Sequence, residues 1–267
     1  MPDAMPLTER ARQWAFFKSW KVRDYLVQLI VPRKAVHARG LRFTLPRDNW
    51  ITDLRYRTYN TKEPETLDWL DTLGANDVLF DVGANIGLYT LYAASRHPRM
   101  QIAAFEPEYS NLHLLRDNIV RNSLGSQVTI YAVALGDSNG LSYLHIQDLN
   151  PGAALHTVSA DASLSETRTA RPVVLREGIT QMTLDEFCRQ SGLQPTCMKI
   201  DVDGNECEVL RGGPATLGSA AFRSLLIETP SDQRQRAECA AMLECAGLRL
   251  SWRDASNATQ NEIWKRT

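Results

Sequence analysis

The sequence has no excess of charge of either sign and no long apolar run. These two absences argue against a nucleic-acid-binding protein and against a membrane-spanning one. Its 267 residues include 30 Lys and Arg against 31 Asp and Glu, so it lacks the broad positive field that nucleic-acid binding needs. No apolar stretch approaches the roughly 20 residues of a membrane-spanning helix, and the polar first residues are unlike a signal peptide. We therefore expect a cytoplasmic protein that binds no nucleic acid, with a peripheral membrane location as the alternative.

Cysteine is too sparse and too scattered to organise the fold. The five cysteines form no C-x-x-C pair, and no histidine lies near them at metal-ligand spacing. They are Cys188, Cys197, Cys207, Cys239 and Cys245. Because this distribution is typical of reduced thiols in the cytosol, the sequence predicts neither a zinc site nor a disulfide framework.

The composition is that of a globular protein with a substantial core. Hydrophobic residues make up 43% of the chain and charged residues 23%, which excludes disorder of the whole chain. The length suits one large α/β domain with additional elements at its edges, or two small domains. We divide it into a lead, residues 1–40, and a domain, residues 41–267, with an insert at about 146–181.

The lead contains WAFFKSWKVRDYLVQLIVP, which predicts an amphipathic helix that ends before Pro32. Its apolar stripe consists of Trp14, Phe17, Tyr25, Leu26, Leu29 and Ile30. Basic residues accompany it, namely Lys18, Lys21, Arg23, Arg33 and Lys34. We expect the stripe to pack on the domain, and contact with a membrane surface is the alternative.

Strands and helices alternate through the centre of the chain. Apolar runs VLFDV, QIAAF, VTIYAVAL, CMKIDV and SLLIE are separated by helical segments, a pattern typical of a doubly wound α/β fold with a mostly parallel sheet. LRLSW and NEIWKR near the C-terminus predict an antiparallel hairpin at the edge of that sheet.

The insert, residues 146–181, is rich in Ser, Thr, Ala and Arg and has little periodicity. A loop of this length inside a compact domain is usually a functional lid or a disordered segment. His156 lies within it and is a weak candidate for a catalytic base, because a lone loop histidine is usually only solvated.

The most informative local pattern is DVGANIG, residues 81–87, after the first central strand. Gly83 permits a tight turn, Gly87 permits close approach of helix or ligand, and the free amides of the following helix can hold a carboxylate. Glu106 ends the next strand, 25 positions after Asp81, where an acid can accept both hydroxyls of a ribose. Together these features predict a ribonucleoside site.

The middle position of the loop discriminates between cofactors. Nicotinamide enzymes generally have G-x-G-x-x-G, because the pyrophosphate presses against the middle glycine. Here that position is Asn85, whose side chain would crowd a pyrophosphate. S-adenosylmethionine has no phosphate, so the sequence favours a methyl donor over an NAD-dependent oxidoreductase.

Charged residues cluster after the fourth central strand. They are Lys199, Asp201, Asp203, Asn205 and Glu206. Side chains alternate along a strand, so we expect Lys199, Asp201 and Asp203 to point the same way. Asp201 is the first candidate for a catalytic base or substrate anchor, with Lys199 tuning its charge.

Plainer roles remain open for the other acids. Asp203 or Glu206 can cap the following helix, which we favour over a Mg²⁺ site, and we expect no bound metal. Glu228 ends the fifth strand and can either bind substrate or pair with a neighbouring arginine.

Four segments in order, VLFDVGANIGLYT, FEPEYSNLHLLRDNI, AVALGD and MKIDVDGNECEVLRGG, resemble the motifs of FkbM-type methyltransferases. The resemblance runs from about Gly40 to the C-terminus and implies a Rossmann-like class I methyltransferase sheet with a reversed strand. It implies S-adenosylmethionine as the donor and usually O-methylation of a hydroxyl on a sugar or polyketide. One departure is Asp203, where many relatives have glutamate.

The resemblance also assigns residues to parts of the donor. Asp81, Gly83, Asn85 and Gly87 would face its methionine portion, Glu106 its ribose, and Asp137 its adenine. We therefore expect a methyltransferase acting on a small-molecule or glycan hydroxyl. The alternative is a non-catalytic nucleoside-binding module in a biosynthetic complex.

Overall fold

The N-terminal part of the chain forms helices and a hairpin ahead of the central sheet. The computed structural model describes residues 7–30, 33–166, 170–255 and 259–267. The first elements are α1 (Leu7–Ile30), β1 (Arg33–Ala38), β2 (Leu41–Pro46), α2 (Trp50–Thr58) and α3 (Pro64–Asp71). β1 and β2 pair antiparallel. The predicted helix of the lead is present and ends at Ile30; Pro32 lies outside the described residues.

The remaining elements alternate as the apolar runs predict. They are β3 (Val78–Val82), α4 (Leu88–Arg96), β4 (Gln101–Phe105), α5 (Tyr109–Arg121), β5 (Val128–Tyr131), β6 (Ala134–Gly136), β7 (Gly140–Ile146), β8 (Thr157–Ser159), β9 (Leu175–Thr183), α6 (Leu184–Ser191), β10 (Cys197–Ile200), α7 (Glu206–Arg211), α8 (Pro214–Gly218), β11 (Ser224–Glu228), α9 (Gln233–Cys245), β12 (Leu248–Arg253) and β13 (Asn261–Arg266).

Seven strands form the central sheet in the order β12-β13-β11-β10-β3-β4-β5. β11, β10, β3, β4 and β5 are mutually parallel. β13 runs antiparallel to both β11 and β12. The predicted Rossmann-like class I methyltransferase fold with a reversed strand near the C-terminal edge is confirmed. The strand order reverses beside β3, which opens a crevice at the carboxyl ends of β3 and β10.

The two faces of the sheet bury separate cores because strand side chains alternate in direction. Leu79 and Ile102 pack with α3, α4 and α5 in one cluster. Phe80 and Phe105 pack with α6, α7 and α9 in the other. With helices on both faces, the carboxyl ends of the strands are held in fixed register, and this edge carries the predicted site.

The insert is more ordered than its composition suggests. β6, β9, β7 and β8 form a second, four-stranded sheet, so the expectation of a structureless loop is wrong where the insert contributes β8 and β9. Of the β9 residues, Ile179 and Gln181 are buried. Because one of these two is polar, the segment lacks the apolar alternation that marks a strand. Residues 167–169 lie outside the described part of the chain.

Helix α1 does not bury its apolar stripe. Trp14 is 61% and Phe17 63% exposed, and Leu26 is also exposed, so the expected packing on the domain is wrong for these three residues. Lys18 lies over the Trp14 ring at 4.0 Å, which holds the indole beside charge at the surface. The side chains of Tyr25, Leu29 and Ile30 are not described. None of the described helices is long and apolar enough to cross a membrane.

One cysteine pair departs from the expected reduced state. Cys207 on α7 and Cys239 on α9 form a disulfide with their Cα atoms 5.5 Å apart. The prediction of five free thiols is therefore wrong. The two residues are 32 positions apart in sequence and meet only because α7 packs on α9, which no local cysteine spacing reveals. Cys188, Cys197 and Cys245 are free.

Candidate active site

A cavity of about 340 Å³ opens at the carboxyl ends of β3, β4, β10 and β11. Gly83, Asn85, Glu106, Asp201 and Glu228 line it, so the structure brings together residues that the sequence predicts from five separate positions. The volume lies within the range of small-molecule sites, roughly 300–1,000 Å³.

The turn from β3 to α4 requires its two glycines. Gly83 and Gly87 have φ of 81° and 85°, in the left-handed region that glycine adopts without strain. A Cβ at Gly83 would collide with the backbone oxygen of Asp201, and one at Gly87 would collide with Leu115. The close approach predicted for Gly87 is therefore made to Leu115 of α5, and Gly83, predicted for the tight turn, also lies against the loop after β10.

Asn85 connects this turn to the insert. Its Nδ2 donates to the backbone oxygen of Ala153 at 2.8 Å, and its Oδ1 accepts from the backbone N–H of Ile86 at 2.9 Å. Its φ of 51° is unusual for a residue other than glycine, although asparagine tolerates it better than most. Asn85 thus lines the cavity and also holds the segment that covers it.

Glu106 lies at the end of β4 and is almost fully buried. Its two carboxylate oxygens accept hydrogen bonds from the backbone N–H groups of Asn85, at 2.7 Å, and Glu108, at 2.9 Å. Burial raises the pKa of Glu106 to about 8, against the opposing effect of these two hydrogen bonds. Each oxygen retains a further lone pair for a ribose hydroxyl, as its predicted role requires.

Three predicted donor-site residues, Asp81, Gly87 and Asp137, do not line the cavity. Asp81 is buried beneath the turn, where Thr90 donates to its Oδ2 and its Oδ1 has no partner among the described residues. Asp137 lies at the surface, 3.6 Å from Arg211. From the AVALGD segment, residues 133–135 line the cavity instead, so any contact of Asp137 with adenine remains a prediction.

A cluster of charged residues lies where β10 and β11 reach the cavity. Lys199 is almost fully buried, and its Nζ lies 2.7 Å from Oδ2 of Asp201. Glu228 forms a side-chain hydrogen bond with Asp201. Asp201 therefore contacts both of the other predicted site residues, Lys199 on one side and Glu228 on the other.

The protonation states of the three groups differ. Burial would raise the pKa of Asp201, but the charge of Lys199 and the hydrogen bond from Glu228 hold it below its usual value. Burial and then the charge of Asp201 raise the pKa of Glu228 to about 10. Burial lowers the pKa of Lys199, but the surrounding carboxylates raise it above its usual value. At neutral pH, Asp201 is ionised and Glu228 is protonated.

The sequence analysis did not identify one member of this cluster. Glu63, at the start of α3, is buried. Burial and Asp201 raise its pKa, but the charge of Lys199 lowers it, and the pKa lies below its usual value. Glu63 also hydrogen-bonds to Tyr89, whose ring lies 4.9 Å from the Lys199 Nζ. Nothing in the local sequence marks Glu63, because only the fold brings α3 to the end of β10.

The loop after β10 differs from the expected extended strand. β10 ends at Ile200, so the prediction that Asp203 continues the strand alternation is wrong. Asp203 lies in a turn with φ of 55° and accepts a hydrogen bond from the backbone N–H of Leu155 at 2.6 Å. Glu206 accepts from the backbone N–H groups of Val202 and Gly204, which favours its structural role in holding this loop.

No group of three or more metal-ligating side chains is suitably placed within the described ranges. His156, in contrast, lines the cavity and is only 8% exposed. Burial lowers its pKa, so the imidazole is neutral at neutral pH. The structure thus places this histidine inside the site instead of in a solvated loop.

Comparisons with known proteins bear on the family to which the chain belongs. Residues 81–244 match the family described as Methyltransferase FkbM domain. Methyltransferase sdnD of Sordaria araneosa is 27% identical over 198 residues, covering 67% of this chain and 76% of the relative. Hexuronic acid methyltransferase AglP of Haloferax volcanii is 26% identical over 216 residues, covering 80% and 78%.

Two further matches are shorter or more distant. The 2-O-methyltransferase NoeI of Sinorhizobium fredii is 26% identical over 154 residues, covering 54% of this chain and 60% of the relative. Among solved structures, Aeropyrum pernix fibrillarin with bound S-adenosylmethionine has a TM-score of 0.46 at 10% identity, covering 87% and 81%. The chain belongs to the FkbM family of methyltransferases and uses S-adenosylmethionine as its methyl donor.

Proposed function

We propose that the protein is an O-methyltransferase that acts on a hydroxyl group of a glycan or secondary metabolite. The observation that carries this proposal is the acceptor end of the cavity, which Asp201, Asp203 and Glu228 line with carboxyl groups. Carboxylates accept hydrogen bonds from hydroxyl groups. The names of two relatives, a hexuronic acid methyltransferase and a 2-O-methyltransferase, support the same class of acceptor.

The residues of the cavity fit the donor. S-adenosylmethionine supplies a methyl group that its positively charged sulfur has already activated. Glu106 is positioned for the ribose, and residues 133–135 give an apolar border for the adenine. His156 and Asn205 also line the cavity, and both bury polar atoms that have no partner in the described part of the chain. Such atoms are costly unless a ligand satisfies them.

Asp201 is the residue that we assign to the acceptor's proton. As the acceptor oxygen gains the methyl group, its proton passes to the Asp201 carboxylate. An oxygen that has begun to bond a methyl group is much more acidic than a free alcohol, so a carboxylate of low pKa is sufficient. Lys199 keeps Asp201 ionised, and protonated Glu228 orients it through their hydrogen bond.

The test combines an acceptor search with two variants. The protein is incubated with isotope-labelled S-adenosylmethionine and an extract rich in glycans and metabolites, and labelled products are identified by mass spectrometry and NMR. Asp201→Asn should reduce turnover about 10²-fold or more while retaining S-adenosylhomocysteine binding. Asp68→Asn, an exposed carboxylate beside Arg39, is the matched control.

Two outcomes would contradict the proposal. A methyl group on nitrogen would exclude O-methylation. Donor binding without turnover, in an extract that supports a related enzyme, would favour the non-catalytic nucleoside-binding module.

A further inference from the structure

The segment between β7 and β8 lines the cavity through residues 153–156, and we call residues 151–156 the strap. On one side, helix α2 and the residue before it hold the strap. Asn49 Nδ2 donates to the backbone oxygen of Pro151 at 2.9 Å. Arg55 donates through both Nε and Nη2 to the backbone oxygen of Gly152, at 2.9 and 2.7 Å. A guanidinium that clamps one carbonyl with two hydrogen bonds fixes both its position and its direction.

The donor loop and α5 hold the middle of the strap. The backbone N–H of Gly152 donates to Oδ1 of Asn111 at 2.7 Å. The backbone oxygen of Ala153 accepts from Asn111 at 3.1 Å and from Asn85 at 2.8 Å. Since the backbone N–H of Asn85 donates to Glu106, the strap and the ribose-binding carboxylate belong to one hydrogen-bond network.

The far end of the strap is held from the acceptor side. Asp203 accepts the backbone N–H of Leu155 at 2.6 Å. The strap is therefore hydrogen-bonded to residues on both sides of the crevice.

One side chain of the strap is left without a partner. His156 is more than nine-tenths buried, lines the cavity, and has no hydrogen-bond partner for either ring nitrogen within the described residues. An imidazole buried in this way is destabilising on its own. Its position inside the cavity indicates that a bound ligand completes its hydrogen bonding.

We propose that the strap closes over the bound donor, that His156 hydrogen-bonds to the donor, and that Arg55 and Asp203 are positioning residues that hold the strap shut. Strap opening then sets the rate at which S-adenosylmethionine enters and S-adenosylhomocysteine leaves. Arg55 precedes the family-matched residues 81–244, so the N-terminal part of the chain contributes directly to donor exchange.

The test measures association and dissociation rates of S-adenosylhomocysteine by stopped-flow fluorescence in the full chain. Arg55→Ala and Asp203→Ala each remove a strap contact, so both should raise association and dissociation rates together, by about tenfold. His156→Ala removes a ligand contact and should raise only the dissociation rate. Arg57→Ala is the matched control, because Arg57 is on the same helix but pairs with Asp53, and it should leave both rates unchanged.

A second readout is independent of the variants. Amide hydrogen exchange of residues 152–156 in the wild-type protein should slow when S-adenosylhomocysteine is bound. Unchanged exchange there, or rates in Arg55→Ala equal to those of Arg57→Ala in a folded protein, would overturn the proposal. Neither measurement involves methyl transfer, so this result does not depend on whether the proposed acceptor chemistry is correct.

Discussion

Asp201 and Glu228 lie at the ends of neighbouring parallel strands and share one hydrogen bond, with the proton on Glu228 at neutral pH. This arrangement predicts that turnover needs the hydrogen bond that Glu228 donates to Asp201 but does not need a negative charge on Glu228. Glu228→Gln still offers Asp201 an N–H donor, so we expect most of the wild-type turnover at pH 7. Glu228→Ala removes the donor and should lower kcat about tenfold or more. Steady-state kinetics of both variants distinguish the two roles; equal losses in both would contradict the protonated state.

We expect Lys199 to stabilise the fold as well as to keep Asp201 ionised. It is a buried cation among Glu63, Asp81 and Asp201. Lys199→Met leaves these carboxylates without their cation and should lower the free energy of unfolding by about 3–5 kcal/mol. Urea denaturation measures the loss. Adding Asp201→Asn to Lys199→Met should restore part of the lost free energy of unfolding, because it removes a carboxylate that has no cation. If the double variant is instead less stable than Lys199→Met, the two side chains do not stabilise each other.

Glu106 should make donor binding depend on pH. Its pKa is raised from 4.5 to about 8, so at neutral pH the folded protein retains a proton that the unfolded chain has lost. Its contribution to the free energy of unfolding is full below about pH 4.5 and is lost as the pH rises through about 8. Ribose hydroxyls that donate to the carboxylate favour its ionised form.

We therefore expect S-adenosylhomocysteine binding at pH 7 to release about one proton from Glu106. Calorimetry in buffers of different ionisation enthalpy measures this number. Glu106→Gln should abolish the release and weaken binding. Proton release that persists in this variant would assign it to another group.

The disulfide predicts a thiol count. Without reductant, the denatured protein should titrate three thiols, from Cys188, Cys197 and Cys245, and after reduction all five. Replacing both Cys207 and Cys239 with alanine opens a loop of 32 residues and should lower the free energy of unfolding by about 4 kcal/mol. Five thiols before reduction would show that the pair is not oxidised in the purified protein.

Membrane contact by α1 stays a prediction that flotation can test. The helix contains five basic and two acidic residues, while the rest of the chain has 25 and 29. Exposed aromatic residues beside such charge favour an anionic bilayer surface. The protein should float with vesicles containing phosphatidylserine, and Trp14→Ser with Phe17→Ser should abolish this. Trp252→Ser, an exposed tryptophan of β12, is the control; flotation unchanged by the α1 substitutions would contradict the prediction.

The sequence predicts the donor side of the site well because its residues follow apolar strands. Gly83, Glu106 and Asp201 each come just after or at the end of such a strand, and parallel strands bring their carboxyl ends to one edge. The same reasoning fails at Asp203, because it cannot tell where a strand stops and a turn begins.

Residues contributed by distant segments could not be predicted. Arg55 on α2 and Glu63 just before α3 lie more than 100 positions before β10. Only tertiary packing brings Arg55 to the cavity and Glu63 to Lys199 and Asp201. The strap likewise has no apolar periodicity, since its backbone groups are paired by side chains of Asn49, Asn85 and Asn111.

The contact between Gly83 and the Asp201 backbone oxygen has a consequence for how such an enzyme can change. The turn after β3 and the loop after β10 touch through main-chain atoms, so the distance between them is independent of the side chains around them. Substitutions on α2, the strap or the second sheet can therefore reshape the chamber that receives an acceptor. The distance across this part of the site stays constant, so a single scaffold can accommodate different methyl acceptors.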